Sequence, residues 1–329
     1  VRRTLITGGA GFIGSHLAEM LLAAGHEVWI LDDLSTGRIE NLAAVRDNRH
    51  LHVVIDSVLH ESVVNELIYK VDEVYHLAAA VGVQLIVDRP VHTITTNING
   101  TEVVLDLCMR FKKRLLVAST SEVYGDRRER VALSEDDRRI YGSTTISRWA
   151  YAASKEIDEF LSLAHHRENG LDVVIARLFN TVGPRQRGEY GMVVPRFVAR
   201  ALRGDPIEIY GTGEQSRCFC DVADCIRALR LLVETPSTTG VIYNVGSDRS
   251  VTMNELAHLV LDRTGSSSPV RHVAYEDAYG PGFEDMLHRQ PNTTRIHAAV
   301  GWAPALTLEE TIDRVAEGIR ADPTLAGVA

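Results

Sequence analysis

Short β-branched and apolar runs alternate with longer amphipathic stretches along the first half of the chain. Leu5-Ile6, Val28-Trp29-Ile30-Leu31, Val53-Val54-Ile55, Val74-Tyr75-His76-Leu77, Leu115-Leu116-Val117 and Val173-Val174-Ile175 are apolar at successive positions. That is the pattern of strands in a parallel sheet covered by helices on both faces. Between them the spacing predicts helices over 13–24, 62–70, 99–111 and 149–168. Strand–helix alternation of this kind predicts an α/β fold with a doubly wound parallel sheet.

The texture changes after Asn180. Gly183-Pro184, Gly188, Gly191, Pro195, Gly204, Pro206, Gly211 and Gly213 punctuate short elements. A smaller C-terminal substrate lobe is expected over 180–221 and 246–329. The main domain is expected over 1–179, with a helix at 222–234 and a strand at 241–245 returning to it. The basic cluster Arg127, Arg128 and Arg130, the mixed run 135–139 and the pair His165-His166 read as solvated loop or helix end.

Charge narrows the partners. With 35 Lys+Arg against 44 Asp+Glu the formal charge is −9, which disfavours nonspecific binding to nucleic acid or to an anionic membrane surface. Apolar stretches break well before the ~18 residues of a membrane span. The chain opens Val1-Arg2-Arg3 and enters a strand directly, so no signal peptide is expected. Cys108 stands alone, and Cys218, Cys220 and Cys225 lack paired C-x-x-C spacing, so reduced cytoplasmic thiols are expected and no metal.

Gly8-Gly9-Ala10-Gly11-Phe12-Ile13-Gly14 lies between the first strand and the first helix. Glycines there permit a tight turn and let backbone amides approach a pyrophosphate at a helix N-terminus, the Rossmann device. Asp32 ends the next strand, where a carboxylate accepts from both ribose hydroxyls and repels a 2′-phosphate. NAD is the expected cofactor. Arg38, beyond the Ser35-Thr36-Gly37 turn, is the nearest cation that could favour NADP.

Tyr151-Ala152-Ala153-Ser154-Lys155 places a phenol and an ammonium at i and i+4, on one helix face. A nearby cation lowers a phenol's pKa and suits it to act as base toward a sugar hydroxyl. Ser119-Thr120-Ser121-Glu122-Val123-Tyr124-Gly125 follows a sheet strand, whose carboxyl end faces the ligand crevice of an open parallel sheet.

With these motifs, His76-Leu77-Ala78-Ala79, Asn97-x-Asn99-Gly100-Thr101 and Arg177-Leu178-Phe179-Asn180-Thr181-Val182-Gly183-Pro184, the chain resembles NAD-dependent extended short-chain dehydrogenase/reductases acting on nucleotide sugars. The resemblance implies cofactor contacts at Gly8, Gly11, Phe12, Ile13, Gly14, Asp32, Asp33, Ser35, Thr36, Gly37, Asp56, Ser57, Leu77, Ala78, Ala79, Asn97, Tyr151 and Lys155. Thr120 matches the residue that bonds the sugar 4-hydroxyl. The 4,6-dehydratases carry Asp-Glu where this chain has Ser121-Glu122, and plain 4-epimerases usually lack the carboxylate. Thr-Ser-Glu is similar to UDP-glucuronate decarboxylases.

A second patch agrees. Arg148-Trp149-Ala150-Tyr151 and the segment 279–291, ending His288-Arg289-Gln290-Pro291, resemble the decarboxylase domain that makes a 4-keto-pentose for lipid A modification. The resemblance puts Arg289 near the sugar carboxylate; Asn292 replaces the family's Asp, and no role passes to it. Arg217 and Asn180 match diphosphate contacts, and Arg185 and Tyr210 are further substrate-binding candidates. Glu122 is open to a catalytic role or to pairing with an arginine, and Arg289 to a carboxylate or a phosphate. The implied activity is NAD-dependent decarboxylation of UDP-glucuronate to UDP-xylose or the UDP-4-keto-pentose. A UDP-sugar 4-epimerase is the alternative, followed by a dehydratase. A homodimer through the helices at 99–111 and 149–168 is also implied.

Overall fold

The apolar runs become seven strands of one sheet. They are β1 (Arg3–Thr7), β2 (Glu27–Asp32), β3 (Leu51–Ile55), β4 (Glu73–His76), β5 (Arg114–Thr120), β6 (Val173–Leu178) and, past two short strands β7 (Thr181–Val182) and β8 (Ile207–Tyr210) and a pair β9 (Ser216–Cys218) and β10 (Cys220–Asp221), β11 (Ile242–Val245). The spatial order is β3-β2-β1-β4-β5-β6-β11 with every pairing parallel. The computed structural model describes residues 1–80, 89–126, 131–146, 148–188, 192–275, 277 and 286–326.

Alternate strand residues feed two cores, as the period of two dictates. Ile6, Ile30, Tyr75, Leu116 and Val174 pack on one face against α1 (Phe12–Ala23) and, later in the chain, the helix Val222–Glu234. Leu5, Leu31, Val74, Leu115 and Ile175 pack on the other against α2 (Glu61–Lys70), α3 (Pro90–Arg110) and α4 (Arg148–Asn169). The order reverses between β1 and β4, so their carboxyl ends open a crevice at the switch point.

α3 starts nine residues earlier than its apolar periodicity suggests. Pro90 occupies its first turn, where a missing N–H costs nothing, and the next two turns are rich in threonine, whose weak helix propensity hides them. The other predicted helices agree with the structure to within one residue at each end.

A third core is enclosed by α5 (Val193–Arg203), α7 (Met253–Thr264) and α9 (Leu308–Ala321); the sheet helix Val222–Glu234 is α6 and Thr294–Val300 is α8, and both pack on the first core. Reciprocal capping boxes, Thr252 with Glu255 and Thr307 with Glu310, start α7 and α9. β12 (Ser250–Thr252) and β14 (His288–Arg289) flank β9, and β13 (Val270–Val273) pairs with β8.

Two predicted solvated segments differ. Glu135 is buried, accepting the Asn244 N–H at 2.9 Å while its carbonyl accepts from Arg177. His166 is half-buried at the end of α4, bonded through Nδ1 to the Leu171 carbonyl at 2.9 Å. The cluster Arg127, Arg128 and Arg130 lies outside the described residues, as do Gly191 and the segment 279–285. Among the described residues no helix is long and apolar enough to cross a membrane.

Candidate active site

The glycine loop is built for close approach. Gly8 has φ +72°, and a Cβ on it would lie 2.9 Å from the Ala78 nitrogen; one on Gly14 would collide with the Gly8 carbonyl. A side chain at either position would not fit, so the loop can pack tightly between β1 and α1 as a cradle and leave the crevice above it open.

Asp32, at the end of β2, is nearly buried. Its Oδ2 accepts the Ala10 N–H at 2.9 Å and its Oδ1 the Leu34 N–H at 2.8 Å. Burial pushes its carboxyl up, and those two N–H groups pull it back. Each oxygen keeps a lone pair for a ligand hydroxyl. Arg38 points elsewhere: it donates to Thr324 Oγ1 at 2.9 Å and pairs with Glu40 and Asp322. The cradle and the carboxylate fit NAD, which is the cofactor of this site.

A single cavity of about 610 Å³ runs from this loop to the reacting end. Gly8, Gly11, Phe12, Ile13, Gly14, Asp32, Asp33, Ser35, Thr36, Asp56, Leu77, Ala78 and Ala79 line one part of it. Thr120, Ser121, Glu122, Tyr151, Lys155, Asn180, Arg185, Tyr210, Arg217 and Arg289 line the rest.

Three predicted cofactor contacts do not line it. A Cβ at Gly37 would lie 2.7 Å from Asp32 Oδ1, so this glycine makes room for the carboxylate. Ser57 stabilises a turn, with its N–H on Asp56 Oδ1 and its hydroxyl accepting from the Leu59 N–H. Asn97 braces the cavity wall, accepting the Ala80 N–H at 2.8 Å and donating to Ser154 Oγ at 3.1 Å.

At the reacting end Thr120 closes β5 and caps the 3₁₀ turn Ser121–Tyr124 by accepting the Glu122 N–H at 3.2 Å. Tyr151 projects from the first turns of α4 and hydrogen-bonds Thr120. Its phenol is not the acidified group that the Tyr–Lys spacing predicts. Burial pushes its pKa up, the Glu122 carboxylate pushes further, and the Thr120 bond and Arg289 pull back. Lys155 is committed to another partner, donating to Asp158 Oδ2 at 2.6 Å.

Arg289, on β14, reaches Glu122 with one nitrogen and Asn180 Oδ1 with another at 3.0 Å. The β14–β9 register sets Arg289 beside Arg217, so two guanidiniums enter the cavity from neighbouring strands. Arg217 donates to the Ser216 carbonyl at 2.8 Å. Arg185, with φ +70°, is tied to α1 through Ser15 Oγ at 3.2 Å and Glu19 at 2.5 Å.

Several lining residues carry no recognisable sequence signal. Arg196, whose guanidinium lies 4.0 Å over the Tyr210 ring, reads in sequence as the polar side of α5. Tyr275, packed over Gly211, sits in a segment without periodicity. Arg89, which precedes α3, and His92, in its first turn, lie where the apolar pattern gives no helix.

Comparison with known proteins agrees with this geometry. Residues 5–315 match the family model described as GDP-mannose 4,6 dehydratase. The chain is 40% identical to a UDP-N-acetyl-alpha-D-glucosaminuronate decarboxylase of Bacillus cytotoxicus over 94% of its own length and 97% of the relative's. It is 33% identical to UDP-glucuronic acid decarboxylase 1 of Xenopus tropicalis, over 95% of its length and 71% of that chain. The dTDP-glucose 4,6-dehydratase DesIV of Streptomyces venezuelae, solved with NAD bound, superposes with a TM-score of 0.88 at 30% identity, covering 98% of each chain. An NAD cradle, a Tyr–Lys helix and a match over nearly the whole length place this chain in the GDP-mannose 4,6-dehydratase family of extended short-chain dehydrogenase/reductases.

Proposed function

We propose that the protein decarboxylates a UDP-linked hexuronate, UDP-glucuronate in the first instance, by C4 oxidation, loss of carbon dioxide and optional re-reduction at C4. The products are UDP-xylose, the UDP-4-keto-pentose, or both. The observation that carries the reading is the meeting of Thr120, Glu122, Tyr151 and Arg289 in the cavity that also holds the cofactor cradle. The relatives' names support it.

Gly8, Gly14 and Asp32 would hold NAD, which would supply the hydride acceptor for C4 and, where the pentose is re-reduced, the hydride donor. Thr120 orients the sugar 4-hydroxyl, and Tyr151 removes its proton. The resulting C4 ketone makes C6 a β-keto carboxylate, so loss of carbon dioxide leaves an enolate rather than a bare carbanion. Thr120 and Tyr151 stabilise the charge on the C4 oxygen. Arg289 receives the carboxylate, and Glu122 positions it or directs a proton to C5. Asn180, Arg217 and Arg185 are assigned to the diphosphate end, with Tyr210 beside the nucleoside. The sheet domain, 1–179 with 222–245, carries NAD, and 180–221 with 246–329 carries the nucleotide sugar.

The 40% identity to an enzyme named for the 2-acetamido sugar favours a second substrate, UDP-N-acetylglucosaminuronate. Both are incubated with purified protein and NAD, and the nucleotide sugar is followed by chromatography and mass spectrometry. Loss of carbon dioxide marks the re-reduced pentose, and further loss of two hydrogens the keto-pentose. Unchanged mass at a new retention time would identify a 4-epimerase and overturn the proposal. Exposed Val91, Ile94, Ile157 and Phe160 on α3 and α4 support the dimer reading, and the four free thiols a cytoplasmic site.

A further inference from the structure

Asp158 follows Lys155 by one turn of α4, and the side chains of the pair are 0% and 3% exposed. A buried ion pair is costly to desolvate, and an apolar residue would serve equally well to pack α4 against α3. Tyr151, Lys155 and Asp158 follow one another at spacings of four and three, so they share one helical face.

The carboxylate is wired into the sheet. Burial pushes the Asp158 carboxyl up, and the Lys155 ammonium and then the Thr101 hydroxyl of α3 pull it back toward its charged form. The same hydroxyl bonds His76 Nε2 at 3.1 Å, and His76 Nδ1 bonds Thr7 Oγ1 at 2.8 Å. Thr7 Oγ1 accepts the N–H of Ala78, a residue of the cavity wall, at 3.2 Å. Asp158 Oδ1 makes no well-aligned hydrogen bond.

Other charges near this face are committed. Glu159 holds Arg177 through two bonds of 2.8 and 2.7 Å and accepts from Ser119. Burial and the Lys155 charge push His76 down to about 3, so it is neutral. Glu122 and Arg289 face Tyr151 from the opposite wall and pair with each other. Asp158 is therefore the carboxylate that counters Lys155.

We propose that Asp158 is a positioning residue of the reaction: it fixes the Lys155 ammonium on the Tyr151 face and, by countering its charge, sets the pH at which the phenol gives up its proton. This rests on the reading of Tyr151 and Lys155 as the reacting pair. Asp158→Asn keeps the shape and removes the anion. The phenol then meets an uncompensated ammonium and ionises at lower pH.

The test uses NAD-bound protein containing carbon-13-labelled tyrosine, with Tyr151→Phe identifying the Tyr151 resonance. In Asp158→Asn its titration is expected to move down by ~1 pH unit. The acid limb of kcat should move with it, KM should stay near its original value, and Asp158→Glu should restore the original limb. Thr101→Val gives a smaller shift in the same direction and serves if Asp158→Asn fails to fold. Titrations and limbs that coincide with those of the unaltered protein would overturn the proposal. A displaced Tyr151 titration in a protein that converts no hexuronate would leave the positioning role standing and overturn the substrate assignment instead.

Discussion

Arg289 ties Glu122 to Asn180, bonding the carboxylate with one guanidinium nitrogen and the amide oxygen with the other. Glu122 is thus held by a cation that a substrate carboxylate would also seek. Glu122→Gln should lower kcat for decarboxylation by ~10²-fold or more while leaving NAD affinity intact. Arg289→Lys cannot keep both bonds and should raise KM by ~10-fold or more. Because the two groups touch, the double variant should lose less than the sum of the single losses. Steady-state kinetics of the four proteins, with NAD titrated by fluorescence, checks this; additive losses would mean that the pair does not act as a unit.

Tyr151 must lose a proton to act as base, and its surroundings raise its pKa through burial and the Glu122 carboxylate. Activity should therefore fall as pH falls. Removing the Glu122 charge should move that acid limb to lower pH. Tyr151→Phe should lower kcat by ~10²- to 10⁴-fold with NAD still bound. A pH–rate profile of Glu122→Gln with an unmoved acid limb would show that this carboxylate does not govern the phenol.

The parts legible in the sequence are those whose geometry is local. Gly8 to Gly14, Asp32 and the Tyr151–Lys155 spacing each fit within one turn or one strand end, so pattern and position agree. Glu122 and Arg289 were legible one by one through family resemblance, but their pairing spans 167 residues and exists through the β14–β9 register. Asp158 and Glu159 carry no signal in the sequence beyond their charge, and burial against α3 and β6 is what gives each a specific partner. Glu135 was misread for the same reason. Its acidic neighbours suggest solvent, while Arg177 and Asn244 draw it inside. Spacing reports proximity to Lys155, whereas the phenol's pKa answers to burial and to every charge nearby, which here push it up.

Asp32 is expected to set cofactor choice by charge as well as by hydrogen bonding. Asp32→Asn keeps an oxygen for either the Ala10 or the Leu34 N–H and removes the repulsion toward a 2′-phosphate. NAD affinity should fall by ~10-fold or more and NADP affinity should rise, measured as two dissociation constants by calorimetry. An unchanged NAD-to-NADP ratio would move selectivity to another residue.

His16 links the glycine helix to the Gly183-Pro184 turn and is expected to make folding sensitive to acid. Its Nε2 lies 3.0 Å from the Pro184 carbonyl, an acceptor, so the neutral ring carries its proton there. Burial, with Arg185 and Arg314 adding to it, pushes the ring from 6.5 down to about 4. Between those values the unfolded chain takes up a proton that the folded one refuses. Stability from this group is thus complete above about pH 6.5 and is lost as pH falls toward the folded value. His76, pushed down to about 3, acts in the same direction. His16→Gln can keep a donor toward Pro184 and does not titrate. Its melting temperature should fall less than that of the unaltered protein between about pH 7 and about pH 5. Calorimetric melts at both values decide the matter: an equal fall in the two proteins would assign the acid sensitivity to other groups.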